Sequence, residues 1–298
     1  MKKKTQSYTN TPRLKTEYLF ALPALFLFTV FFLYPFFNAF WLSLTNWNGF
    51  SSPTFIGLGN FKTFFSDDRA LSAVKNTVTF ALFSAPLLNI VGLSYALLLE
   101  NDKLKGVKLV RTLVYLPAII SPLIMGYIWT FVIKNDGFLH HFLETLHLNG
   151  MIQDWLANST TAWMWIIIIN VWQFSGMTMV IYLSGLKSIP LELYEAAEID
   201  GANYFKKVMF IKLPNIMPAI TINVITNIIG SLAIFDAIIA LTDGGPGHAT
   251  ESLSIYILRM VYGGSTGYAV AVAMVMFFIT LIPIMIYVTI TKRKGLAV

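Results

Sequence analysis

Six apolar runs dominate this chain: Tyr18 to Leu44, then windows at roughly 72–99, 110–133, 162–186, 217–241 and 267–291. Each is long enough, at about 1.5 Å per helical residue, to cross a hydrocarbon layer about 30 Å thick. A chain inside lipid has no water to bond its peptide groups, so each run is expected to be a helix. The expected fold class is therefore all-α, a polytopic membrane protein with six transmembrane helices. The 298 residues are 56% hydrophobic and only 12% charged, too apolar for a soluble domain. The first run is longer than the core of a cleaved signal peptide and leads on to further spans, so it reads as an uncleaved helix, with Pro23 and Pro35 as possible kinks.

Six spans put both termini on one side, and the basic residues choose the side. Sixteen of the 21 Lys and Arg fall in the 1–16 tail, the 100–111 and 187–216 loops, and the 292–298 tail. The opposite segments hold Lys62, Arg69, Lys75, Lys134 and Arg259. Basic loops stay in the cytoplasm, so both tails and the 188–216 loop are expected there, flanking and interrupting a 17–291 transmembrane domain. The net charge of +6 comes from this dispersed bias and not from one basic patch, which argues against nucleic acid. Without cysteines there is neither a disulfide framework nor a thiolate metal site.

The 188–216 loop is too large for a simple connector. Pro190 suits a first helical turn, Glu192 and Glu195 suit the positive end of the helix dipole, and Gly201 supplies a left-handed stop. A second helix is expected over Tyr204–Ile211, with Lys206 and Lys207 wet, broken by Pro214. The spacing Glu195-Ala196-Ala197, three residues, Gly201, nine residues, Ile211-x-Leu213-Pro214 resembles the signature loop of permease subunits of ATP-driven, binding-protein-dependent importers, with every position filled. That resemblance implies a cytoplasmic helix-turn-helix in which Glu195, Ala196, Ala197 and Gly201 dock into a cleft on a separate ATPase subunit. The alternative is an ordinary amphipathic helix pair.

The loops on the other side extend the likeness. Phe55-Ile56-Gly57-Leu58-Gly59-Asn60-Phe61 is similar to the first external loop of sugar-importer permeases. Thr242-Asp243-Gly244-Gly245-Pro246 resembles the maltose- and glycerol-phosphate-type subunit, the first permease of a heterodimer, where Thr242, Gly244, Gly245 and Pro246 would face an extracellular solute-binding protein. By itself Gly-Gly-Pro is only a turn. The resemblance covers about residues 18 to 291.

No Gly-x-x-x-x-Gly-Lys-Ser/Thr phosphate loop occurs, so this chain cannot be the ATPase. It is expected to hold no cofactor, ATP and Mg²⁺ residing on an ATPase dimer below a pair of homologous permeases. A sugar needs groups that exchange hydrogen bonds with hydroxyls, and apolar faces for its ring. Asn170, Gln173 and Met177 stand at helical spacing before the signature loop, and Asn223, Asn227 and Ser231 after it. The resemblance implies sugar contact at these two stripes; helix–helix hydrogen bonding is the other reading. The stripes hold no cation that would demand phosphate, which favours a di- or oligosaccharide.

Asp236, an acid inside the fifth window, admits a different class of function, a proton- or sodium-coupled carrier, which would leave the 188–216 loop without a role. Its place just before the Thr242 loop fits structural anchoring better. His140, His141 and His147 with Asp136, Glu144 and Asp154 raise a metal question, but the His-Glu-x-x-His pattern is absent, as is any Gly-x-Ser-x-Gly elbow.

Overall fold

The computed structural model describes residues 20–293. Helix α1 (Leu22–Ser43) leads to a two-stranded antiparallel ribbon, β1 (Thr45–Asn46) with β2 (Thr54–Phe55), and to the short helix α2 (Gly59–Phe65). Helix α3 (Asp68–Leu98) is followed by α4 (Val107–Tyr115), a 3-10 turn at Leu116–Ile119, α5 (Pro122–Ile133) and α6 (Phe138–Thr145). Helix α7 (Ser159–Lys187) ends at a knob made of α8 (Leu191–Ile199) and α9 (Tyr204–Asn215). The chain re-enters as α10 (Met217–Leu232) and α11 (Asp236–Leu241), then forms α12 (Leu253–Tyr262) and α13 (Thr266–Arg293). Among the described residues four helices are long and apolar enough to cross a membrane, and six spans result when each bent pair is taken as one. The expected tail at 1–16 and residues 294–298 of the other lie outside the described residues.

Two spans depart from the continuous helices expected. In the third, the chain turns by 98° between Val107–Ile119 and the segment beginning at Pro122. Pro122 disfavours helical backbone at the residue before it, and Ile120 and Ser121 are indeed extended. The fifth pauses at Ala233–Phe235 between α10 and α11. Carbonyls freed at such breaks need partners inside the protein. Gln173 Nε2 donates to Ile120 O at 3.0 Å and Pro117 O at 3.4 Å, and Ser252 Oγ donates to Ile234 O at 2.9 Å.

The long helices α3 and α7 form the spine, each started by a side chain that bonds its first free N–H groups: Asp67 for α3, Asn158 for α7. They approach closely at Gly92 of α3, where a Cβ would lie 2.5 Å from Thr178 Cγ2 of α7. A Cβ on Gly176 would lie 2.2 Å from Val114 O, where α7 presses against the third span. With no hydrophobic drive between helices in lipid, such fits supply the packing energy.

A clasp closes the end opposite the knob. Glu251, 1% exposed, accepts both Nε and a terminal nitrogen of Arg69 at 2.7 Å, and Arg259 at 2.7 Å. Arg259 also donates to Asp243 O at 2.6 Å, while Thr250 Oγ1 donates to Gly245 O at 2.6 Å and lies 2.8 Å from Thr242 Oγ1. The Thr242–Pro246 loop is thus tied to the start of α3. Nearby, Asn60 Nδ2 donates to Ser43 O and Thr45 O at 2.8 and 2.9 Å, fixing the ribbon to α1. Burial opposes the charge on Glu251, but the Arg69 bonds and the charges of Arg69, Arg259 and His248 outweigh it and hold the carboxyl below its ordinary range.

Replacing Gly176 by Ala is expected to destabilise the detergent-solubilised protein by about 1–3 kcal/mol, the usual cost of overpacking; Gly150→Ala, with open space around it, is the neutral control. Thermal unfolding of the two variants measures the difference. Because the fold binds ionised Glu251, the stability it gives is present above the ordinary glutamate range, about 4.3, and is lost as pH falls through the lower folded value. Glu251→Gln should cost about 3 kcal/mol at neutral pH, the lower end for breaking a buried pair, and should flatten that acid limb of the melting profile.

Candidate functional site

A cavity of about 260 Å³ opens between α7 and α10, with Leu88 of α3 in one wall. Of the six residues expected at a sugar site, five line it: Asn170, Met177, Asn223, Asn227 and Ser231. Both stripes turn the same way because α7 and α10 leave and re-enter on either side of the knob and pack side by side. Gln173 is the exception. It is buried on the other face of α7, bonded to the broken third span, so its amide is committed to backbone carbonyls and does not reach the cavity.

The remaining amides are only partly used. Asn170 Nδ2 donates to Ser84 Oγ at 2.8 Å, and Asn223 Nδ2 to Thr178 O at 3.1 Å. Asn227 stands 3.4 Å from Thr178 Oγ1, a weak contact. Two oxygens of cavity-lining residues, Asn223 Oδ1 and Ser231 Oγ, have no partner at all. An unmade bond at such depth costs about 1–3 kcal/mol, and Trp165 Nε1 and Thr221 Oγ1, whose residues do not line the cavity, lack a partner as well. Phe174, Met177 and Ile181 provide apolar walls, and none of the lining residues is ionisable. Thr178 and Thr226 also line the cavity. Sequence reasoning missed them, although Thr178 stands eight residues after Asn170, on the same stripe.

The knob is built as the residue pattern expects, with one change. Gly201 adopts φ +70°, its N–H donates to Glu198 O at 3.1 Å, and Ala202 N donates to Ala197 O at 2.9 Å, closing α8 in a Schellman motif. Asn203 caps α9 through Lys206 N. Pro214, however, does not end α9. A π turn over Val208–Lys212 widens the helix ahead of it, which accommodates the proline ring, and the helix breaks only at Ile216, with a 73° change of direction into α10. Glu195, Ala196 and Gly201 are exposed, whereas Ala197 is buried against the knob's own body. Apolar side chains share the open surface, Ile199 at 87% and Phe210 at 77% exposure.

The other residues of interest fall away from both features. Asp236 opens α11, where the helix dipole favours its charge, and lies at a break and not within an unbroken span; it does not line the cavity. His140 and His141 make surface contacts with Glu144 and Asp136 at 3.1–3.3 Å, and no group of three His, Asp or Glu able to hold a metal occurs among the described residues. Thr242, Gly245 and Pro246 border a separate shallow depression at the clasp end, with Gly244 held at φ +78°.

The same arrangement is found in known proteins. A probable starch degradation products transport system permease protein of Thermoanaerobacterium thermosulfurigenes is 33% identical over 280 residues, 93% of this chain and 94% of its own. The trehalose/maltose transport system permease protein of Thermococcus litoralis is 33% identical over 282 residues, covering 94% and 95%. The crystal structure of a bacterial ABC transporter involved in the import of the acidic polysaccharide alginate contains a chain that superposes with a TM-score of 0.80 at 27% identity, covering 93% of this chain and 95% of that one. Residues 89–295, which hold the cavity stripes, the knob and the clasp loop, match the family model described as the binding-protein-dependent transport system inner membrane component. This chain therefore belongs to that family, the multi-pass permease subunits of ABC transporters, which are transport subunits and not themselves enzymes.

Proposed function

We propose that this chain is one permease of an importer for a neutral di- or oligosaccharide, and that the α7–α10 cavity is its share of the translocation path. The observation that carries the reading is the uncharged cavity lined by the polar residues Asn170, Asn223, Asn227 and Ser231 and the apolar Phe174 and Met177. Sugar hydroxyls donate and accept, which suits amides and a hydroxyl, and Phe174 and Met177 can cover the apolar face of a ring. The relatives named for starch products and for trehalose and maltose support a sugar. The solved relative imports an acidic polysaccharide. No cation lines the cavity here to meet a carboxylate, so a neutral sugar fits better.

At about 260 Å³ the cavity is below the roughly 300–1,000 Å³ of complete small-molecule sites. A second, homologous permease facing it would complete the site. On this reading both termini and the knob lie in the cytoplasm, as the basic residues indicate. Glu195, Ala196 and Gly201 with exposed Ile199 and Phe210 meet one subunit of an ATPase dimer that carries ATP and Mg²⁺; Ala197 sets the spacing from behind. The Thr242–Pro246 loop then faces outward toward a solute-binding protein, as the alginate relative has been crystallised with a periplasmic protein holding a pentasaccharide. Nucleotide-driven closure of the ATPases would rock α7 and α10 about the cavity, opening it to each side in turn.

Reconstitution of the assembled complex with its binding protein tests this. Uptake should require ATP and saturate with a neutral oligosaccharide such as maltotriose or another member of a neutral panel, and not with an oligouronate; uptake by this chain alone under a proton or sodium gradient would replace the importer reading by a carrier. Ser231→Leu and Asn227→Leu should each remove about 1 kcal/mol of hydrogen bonding, an apparent affinity loss of about fivefold, with assembly intact. Gly201→Val, forcing a branched residue into left-handed backbone, should reduce ATPase co-purification while membrane insertion persists.

A further inference from the structure

Lys212 is the one buried Lys or Arg among the described residues, at 3% exposure, and the mechanism outlined above gives it no task. Its position is not accidental. Val208 and Lys212, four residues apart in the π turn of α9, are both buried on one face of the helix. There the ammonium lies 4.7 Å from the centre of the Tyr204 ring and 5.9 Å from that of Tyr194, and it bonds the carboxylate of Glu100. Tyr194 belongs to α8, Tyr204 to α9, and Glu100 stands two residues beyond the end of α3. Tyr204 adds a long contact of its own, Oη to Leu97 O at 3.5 Å. Burial pushes both phenols up, and the neighbouring carboxylate adds to the effect, so the rings stay neutral faces for the cation.

The covalent chain joins the knob only to α7 and α10. Helix α3 supplies Leu88 to the cavity wall and Ser84 to Asn170, yet it reaches the knob by no peptide linkage nearer than the whole of α4 to α7. We infer that the Glu100–Lys212 pair in its tyrosine cage is a positioning device that makes α3 move with the knob, so that a cytoplasmic stroke shifts all three walls of the cavity together. Lys212 is buried and the Glu100 side chain 25% exposed; such a pair is a modest source of stability, because desolvation cancels much of its attraction, but it favours one relative placement of the elements it joins. A flexible contact between exposed charges would not transmit force, and the neighbouring contact of Asp102 with Lys187, half-exposed on both sides, illustrates that other kind.

The inference rests on the knob being the ATPase-docking element, and the test separates the two ideas. The chain has no native cysteine, so spin labels at Leu98→Cys, on exposed α3, and Lys206→Cys, on the knob, report a single distance in the assembled complex. With Glu100 and Lys212 present, that distance should be the same in the nucleotide-free and ATP-trapped states. With Lys212→Met or Glu100→Gln it should shift or broaden between states, and uptake per ATP hydrolysed should fall by about fivefold or more, the low end of coupling between linked sites. The double variant Glu100→Gln/Lys212→Met leaves no unpaired buried charge. Should the pair serve stability alone, the double variant would recover the native distance behaviour and uptake, and that result overturns the inference. An equal distance change in the unsubstituted background overturns it as well. Failure of the unsubstituted chain to retain an ATPase instead overturns the docking reading.

Discussion

Everything in this structure answers to the absence of water at membrane depth. A peptide group or amide that loses its partner there must find another within the protein, and the cost of failing is of the order of 1–3 kcal/mol for each group. The third span breaks at Pro122, and Gln173 turns its amide to the freed carbonyls; the fifth breaks before Asp236, and Ser252 reaches Ile234 O. Four buried side-chain atoms among the described residues go without a partner, Trp165 Nε1, Thr221 Oγ1, Asn223 Oδ1 and Ser231 Oγ, and the last two belong to residues that line the cavity between α7 and α10.

The same rule sorts the charges. Ionised groups collect at the two ends of the bundle, and helix α3 is pinned at both. At one end Arg69 holds Glu251, which comes after α11; at the other Glu100 holds Lys212, which precedes α10. The α10–α11 segment is therefore bracketed by ion pairs to α3, while its middle meets α3 and α7 through apolar and amide contacts. Stiff attachments at the ends and adaptable packing between them are what a rocking segment needs. Asp236 sits at the start of α11, where a helix terminus suits an acidic side chain.

Much of this was legible in the residues because periodicity and punctuation carry physical meaning. Four of the apolar windows are helices long enough to span and the other two are broken, Gly201 stopped α8 in left-handed backbone, and the stripes at Asn170 and Asn227 do meet at one cavity. Other features were not legible. Both stripes are polar at helical spacing, so nothing local separates Gln173, which faces a partner helix, from Asn170, which faces the cavity. That choice depends on where the third span breaks, a tertiary fact. Nor does the motif separate its two adjacent alanines, of which Ala196 is exposed and Ala197 buried. Glu251 and Arg69 lie 182 positions apart, and no spacing rule anticipates their pairing.

Pro214 shows how local preference and tertiary demand are reconciled. As a helix breaker it should have ended α9 near Ile211, leaving Lys212 in an exposed turn. Instead the helix widens, the proline ring fits, and Lys212 is carried inward to Glu100 and the two tyrosines. Burying a lysine is unfavourable unless a counter-charge and π faces receive it, and here Glu100, Tyr204 and Tyr194 do so. A proline two residues after a lysine, in a motif whose other positions make a docking surface, thus acts less as a stop than as a wedge that sets the rotation of the helix. The geometry of the cytoplasmic end is then set by one residue that cannot donate a hydrogen bond and one that cannot remain unpaired.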